Sequence, residues 1–205
     1  MARPRAADYD EKRALILRAC ADLFARQGYE RTSISDIAKA CHVSKALIYH
    51  YYTSKEQLLV DIIGTHLSYL IDMVERALDG ASPGEPQLRA IVGALLEAYR
   101  DASALHKIQL NELSRLPAPS QVELKAQERQ LVALFADVLA TCVPPLAGSD
   151  RLKPVTMSLF GMLNWHYMWF RPDGRLTRES YADLATTIIL TGAREIAGRG
   201  RMAAE

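Results

Sequence analysis

Residues 33–55, SISDIAKACHVSKALIYHYYTSK, leave a folding chain few options. Ser33 has the hydroxyl to cap a helix whose inner face carries Ile34, Ile37 and Ala38; Cys41 and His42 mark a tight turn, and Val43 points back inward. Ser44 caps a second helix that runs from Lys45 to about Tyr52. At helical periodicity Ile48 and Tyr52 share the inner side and Tyr51 lies at its margin, while Lys45, Ala46, Tyr49 and His50 face out. A short helix that presents a lysine, a tyrosine and a histidine has the size and donor chemistry for a DNA major groove. The stretch reads as a helix-turn-helix, and DNA binding is expected of it.

Around it the pattern is helical throughout. A first helix is expected from about Asp10 to Gln27, with Leu15, Ile16, Ala19, Cys20, Leu23 and Phe24 as its apolar stripe and Gly28 as its stop. Residues 1–8, with Arg3 and Arg5 flanking Pro4, read as an arm, either a loose tail or a segment lying along DNA. Ser54 and Gln57 form a capping box for a fourth helix ending near Gly80. Ala81–Pro86 is the clearest break in composition. Further helices are expected at about 87–104, 105–115, 120–142, 152–171 and 177–197, the last capped by Thr177. No strand pattern appears. The expected fold is all-α with about nine helices, divided into a DNA-binding domain at 1–55, a linking helix at 56–80 and a C-terminal domain at 81–205.

Charge and composition narrow the function. The net charge is +1, yet residues 1–60 carry ten Lys or Arg against seven Asp or Glu, so the basic end coincides with the helix-turn-helix. Three scattered cysteines, Cys20, Cys41 and Cys142, have no metal-ligand spacing and suit buried packing. The N-terminus lacks the apolar stretch of a signal peptide, and the uncharged run Val155–Phe170 is too short and too polar for a bilayer. A cytoplasmic protein with no membrane association is expected. No zinc-protease helix, Cys-x-x-Cys pair or phosphate-cradling glycine loop is present, so no catalytic residue, metal or resident cofactor is expected.

The segment RTSISDIAKACHVSKALIYHYYTSKEQLL resembles the N-terminal signature of TetR-family transcriptional regulators, roughly T-[ST]-x-x-[DE]-I-A-x-x-x-G-V-S-x-x-x-[LI]-Y-x-[YH]-F-x-[SN]-K-x-x-L. His42 stands where the pattern has glycine, and Tyr52 where it has phenylalanine. The resemblance implies a three-helix DNA-binding head, a linking helix and a C-terminal bundle that dimerises and binds a small effector. By matching positions it assigns DNA contact to Thr32, Ser33, Lys45, Ala46, Tyr49, His50, Tyr51 and Lys55. Lys55 would meet a phosphate and Lys45 would read a guanine edge. Packing is the alternative for Tyr51, and a solvated helix-end charge the alternative for Lys55.

A second segment, GMLNWHYMWFRPDGRLT at 161–177, looks like one found in TetR-type repressors of acyl-CoA catabolism, including the phenylacetate regulators. The implied effector is a CoA thioester, with phenylacetyl-CoA the first candidate. From the residues themselves, Trp165 and Trp169 recur at one-turn spacing beside Asn164, and they suit either a ligand cavity or a dimer interface. Arg171 is a candidate phosphate contact. Tyr99, His106 and Gln109 are polar residues among apolar ones on the helices that the resemblance places around the effector, and Arg100, His106 and Lys107 together would suit CoA phosphates.

The expected function is a homodimeric repressor of a catabolic operon, paired through the last two helices and bound to a pseudo-palindromic double-stranded operator until an acyl-CoA releases it. The alternative is a TetR-type regulator of efflux or stress genes that answers another hydrophobic ligand. An all-α enzyme is the remaining class, and no residue constellation supports it.

Overall fold

The computed structural model describes residues 3–100 and 102–202; Met1 and Ala2, and the side chains of Arg3 and Arg5, lie outside the described residues. Within them are nine α-helices and two 3₁₀ turns, and no strand. The helices are α1 (Arg3–Gln27), α2 (Ile34–Ala40), α3 (Lys45–Tyr51), α4 (Lys55–Asp79), α5 (Glu85–Ala98), α6 (Ser103–Glu112), α7 (Ala118–Cys142), α8 (Leu152–Trp169) and α9 (Arg178–Met202). The 3₁₀ turns are Leu113–Arg115 and Pro144–Leu146.

Helix ends follow local chemistry. Gly28, at φ +86°, closes α1 and bonds its amide to the Phe24 carbonyl at 2.9 Å. Thr177 caps α9, its hydroxyl accepting from the Ser180 amide at 3.0 Å. At α4 the Ser54 hydroxyl accepts from the Gln57 amide, but the Gln57 side chain reaches back to the Thr53 amide rather than to Ser54, so the expected box is displaced by one residue. The largest departure is at the N-terminus. Helix α1 begins at Arg3, not near Asp10, and takes in most of the expected arm. Pro4 does not prevent this, because the first turn of a helix uses no amide that a proline lacks.

The chain divides into two compact units, residues 1–67 with 102–125 and residues 68–101 with 126–205. Helix α6 therefore groups with the N-terminal segment, and the Ala81–Pro86 break is an internal connection of the second unit. The first unit is built on Ile16, Cys20 and Phe24 of α1, Ile37 of α2, Ile48 of α3, Leu58, Leu59, Ile62, Ile63 and Leu67 of α4, and Ile108 of α6. Leu15, expected in the α1 stripe, is instead 48% exposed. The second unit is centred on Phe135, which meets Phe160 edge to face at 4.9 Å, among Leu88, Ile91 and Leu95 of α5, Leu159 and Leu163 of α8, and Ala185 and Leu190 of α9. Cys20 and Cys41 are buried and unbonded, and burial pushes the Cys20 thiol up to about 12, with Cys41 adding to it, so it stays protonated. Helix α4 has the length and apolarity to cross a membrane, but half of its most apolar stretch is buried inside the protein, as in a core helix.

Candidate nucleic-acid interface and effector residues

The helix-turn-helix is fixed by reciprocal caps. The Ser33 hydroxyl accepts from the Asp36 amide at 3.2 Å while the Ser33 amide donates to Asp36 Oδ2 at 3.0 Å. The Ser33 hydroxyl and then the Ser33 amide, both donating to Asp36 Oδ2, hold the Asp36 carboxyl below its ordinary range. In the turn His42 adopts φ +54°, the left-handed conformation that glycine takes without cost. It lets the Val43 amide reach the Ala38 carbonyl at 2.9 Å. Ser44 then caps α3 through the Leu47 amide at 3.1 Å. Ile48 is fully buried, and this sets the opposite face: Lys45, Ala46, Tyr49 and His50 are all exposed, Tyr49 by 55%. That face offers an ammonium, a phenol and an imidazole to an incoming base edge.

The end of α3 is tied down by a carboxylate. Asp61 of α4 accepts from the Tyr52 hydroxyl at 2.9 Å and from Arg13 of α1 at 2.6 Å. Burial and then Asp61 raise the Tyr52 phenol well above its ordinary range, so it remains a donor. The hydroxyl that distinguishes Tyr52 from phenylalanine thus has a partner. Tyr51 is half-buried, stacked on Tyr9 with ring centroids 4.6 Å apart and edge-on to His50 at 5.4 Å.

Two of the expected DNA contacts are turned inward. Thr32 is 1% exposed; its hydroxyl donates to the Gly28 carbonyl at 2.8 Å and accepts from Gln27 at 3.1 Å. The Lys55 ammonium donates to the carbonyls of Tyr29 at 2.9 Å, Thr32 at 3.1 Å and Glu30 at 3.4 Å, and lies 4.2 Å from the centre of the Tyr29 ring. An ammonium has three donors, and these carbonyls take them. Within the chain, Lys55 acts as a clamp on the loop between α1 and α2. The Ser33 hydroxyl, though exposed, donates to Asp36 at 2.6 Å as well as capping α2.

The residues expected around an effector separate into three groups. Tyr99 and Asn164 meet within the second unit, the buried Tyr99 hydroxyl donating to Asn164 Oδ1 at 3.0 Å. His106 and Gln109 lie in the first unit, 1% and 7% exposed. Trp165, Trp169 and Arg171 are exposed, the tryptophans by 61% and 46%. Trp169 leans edge-on against Tyr181 at 5.0 Å and His166 at 5.5 Å. Arg100 pairs with Glu97 at 2.6 Å beside a cleft of about 390 Å³ that Arg178 and Glu179 also line, and two acids against two bases leave it no surplus charge for phosphate.

Two buried histidines stand outside the expected sites. His166 is 3% exposed, stacked between Phe170 at 4.2 Å and Tyr181 at 5.1 Å, and burial with Arg178 pushes it down to about 4. His66 of α4 is 2% exposed. Its spacing from Ile62 and Ile63 puts it on the inner face of α4, a signal legible in the periodicity.

Two family models match this architecture. One, described as bacterial regulatory proteins, tetR family, covers residues 16–62, and the other, described as tetracyclin repressor-like, C-terminal domain, covers residues 81–193. The chain is similar to a TetR-family transcriptional regulator from Bordetella parapertussis, whose crystal structure is 36% identical with a TM-score of 0.80 over 87% of this chain and 93% of that one. The crystal structure of AibR in complex with isovaleryl coenzyme A and operator DNA is 29% identical, with a TM-score of 0.75 over 86% of this chain and 97% of that one. The HTH-type transcriptional repressor KstR2 of Mycolicibacterium smegmatis is 25% identical over 194 residues, 91% of this chain and 93% of its own length. With one model over the helix-turn-helix and the other over more than half of the sequence, the chain belongs to the TetR family of DNA-binding transcriptional regulators and is not an enzyme.

Proposed function

We propose that this protein is a homodimeric repressor that leaves its operator when a CoA thioester binds. The observation that carries the DNA half is the α3 face. Ile48 and the Ser44 cap hold it so that Lys45, Tyr49 and His50 reach base edges, Ala46 meets a thymine methyl, and Ser33 and Tyr51 flank the contact. The functional division is a DNA-binding head at 1–55, a linking helix at 56–80 and an effector and dimer domain at 81–205.

The dimer reading is supported by unpartnered apolar side chains on the last two helices. Met157, Trp165, Met168 and Trp169 of α8 and Leu184, Ile188 and Ile196 of α9 are each between 39% and 61% exposed. Gly161 lies on the same side of α8 with open space over it, and permits close helix approach. Two recognition helices related by a dyad suit a pseudo-palindromic operator.

The effector class is supported by the likeness to AibR, which binds isovaleryl coenzyme A, and the phenylacetate-type segment at 161–177 makes phenylacetyl-CoA the first compound to try. Release requires that the ligand bind the two conformations of the dimer with different affinity; equal affinity would release nothing. The test is anisotropy of promoter DNA flanking the protein's own gene, titrated with protein, then with phenylacetyl-CoA, isovaleryl-CoA, free CoA and phenylacetate. Release by a thioester and not by CoA or phenylacetate is expected. Release by none of them removes the acyl-CoA class and leaves the DNA-binding function standing.

A further inference from the structure

His66 occupies the place of a core leucine. It follows Ile62 and Ile63 by one turn on the inner face of α4, its side chain is 2% exposed, and neither ring nitrogen has a hydrogen-bond partner. A second imidazole faces it from α6, His106, with ring centroids 6.3 Å apart and the rings inclined by 65°. Gln109, almost one turn further along α6, is also buried. Ile62, Ile63, Leu67 and Ile108 of the same two helices belong to the apolar core of this unit. A neutral imidazole carries one N–H donor and one lone pair, and a core that leaves both unmet is less stable than one filled by an apolar side chain of the same size. Folding alone gives no reason for a histidine here. A guest that takes its hydrogen bond does.

We infer that His66 makes the hydrogen bond that recognises the effector's uncharged carbonyl, an acyl thioester or amide oxygen rather than a carboxylate. This rests on the effector reading above and names a contact for it. The chemistry of the place selects against an acid. Burial, reinforced by the neighbouring His106, pushes His66 down to about 4, so near neutrality it offers an N–H and no positive charge. A carboxylate entering would surrender its hydration without gaining a cation, whereas a thioester oxygen needs only the one donor.

The test uses the full chain and the variants His66→Leu and His66→Gln, melted alone and with phenylacetyl-CoA, isovaleryl-CoA, free CoA and phenylacetate. His66→Leu without ligand should melt at or above the wild type and bind the thioester at least about tenfold more weakly, the equivalent of one lost hydrogen bond. His66→Gln keeps a donor and an acceptor and should retain most of the affinity. If His66→Leu melts below the wild type or does not fold, His66 serves a structural partner and the inference falls. If it binds the thioester as the wild type does, the acyl-CoA reading stands and the part given to His66 falls. Equal response of the wild type to phenylacetate overturns the preference for an uncharged group. A wild type silent to every thioester removes the effector class itself, and His66's part with it.

Discussion

Replacing Lys55 with methionine removes the ammonium and keeps the aliphatic stem. Three carbonyls then lose their donor, those of Tyr29, Thr32 and Glu30 at 2.9, 3.1 and 3.4 Å, and the Tyr29 ring loses a cation at 4.2 Å. A hydrogen bond from a charged donor contributes about 1.5–3 kcal/mol. The three share one ammonium on a half-buried side chain, so they do not add, and water can reach some of the freed carbonyls. With about 0.5–1 kcal/mol for the cation over the ring, the net loss is about 2–4 kcal/mol. For a chain of 205 residues that is a fall in Tm on the order of 5–15 °C. Urea and thermal unfolding of the full chain measure it. The same variant is then titrated onto promoter DNA between low and moderate salt. Since Lys55 spends its donors within the protein, the slope of log affinity against log salt should match the wild type. A phosphate contact would lower that slope by about 0.9 per strand contact while Tm stayed near the wild-type value, and that pair of results would falsify the clamp.

Acid should destabilise the protein before its carboxylates titrate. His66 and His166 are held at about 4 against an ordinary 6.5, chiefly by burial, so the unfolded chain takes up protons that the folded one refuses. Their stability is intact above pH 6.5 and is lost as pH falls toward 4, about 2–3 kcal/mol for each; urea midpoints at several pH values check this, and a flat profile contradicts it. His42→Gly should raise stability by about 0.5–1 kcal/mol, because φ +54° costs a side chain more than glycine's freedom costs the unfolded state; an unchanged or lower urea midpoint would show that the turn carries no strain. Trp165→Ser should weaken the dimer at least about thirtyfold in sedimentation experiments, as loss of a buried aromatic anchor does, and an unaltered dissociation constant would place the interface elsewhere.

The helices themselves were legible because periodicity and caps are local. Ser33, Ser44 and Thr177 cap as their positions predict, and Gly28 closes α1. The outward face of α3 followed from Ile48 alone. What could not be read was direction across space. Lys55 has the same spacing whether its stem folds toward a phosphate or toward the loop after α1, and only the position of the Tyr29 and Thr32 carbonyls decides. Thr32 lies next to a capping serine, yet Gln27 and the Gly28 carbonyl claim its hydroxyl. Trp165 and Trp169 share a spacing but differ in environment, since Tyr181 arrives from another helix to support only Trp169. His66 is the opposite case. Its place on the inner face of α4 was readable, but a polar residue within an apolar stripe draws less notice than one outside it.

The shared carboxylate of Asp61 makes the history of the head depend on the order of its substitutions. With Asp61 present, Tyr52→Phe removes one hydroxyl and leaves the Arg13 pair at 2.6 Å intact, a step of about 1 kcal/mol. Replacing Asp61 first strands a phenol that is 3% exposed and an arginine together, and the cost is larger by the desolvation of an unmet buried donor. A lineage can therefore lose the phenol and then the carboxylate by small steps, and gain them only in reverse. Tyr52 and Asp61 are an epistatic pair, in which the acid is the residue that must come first and leave last.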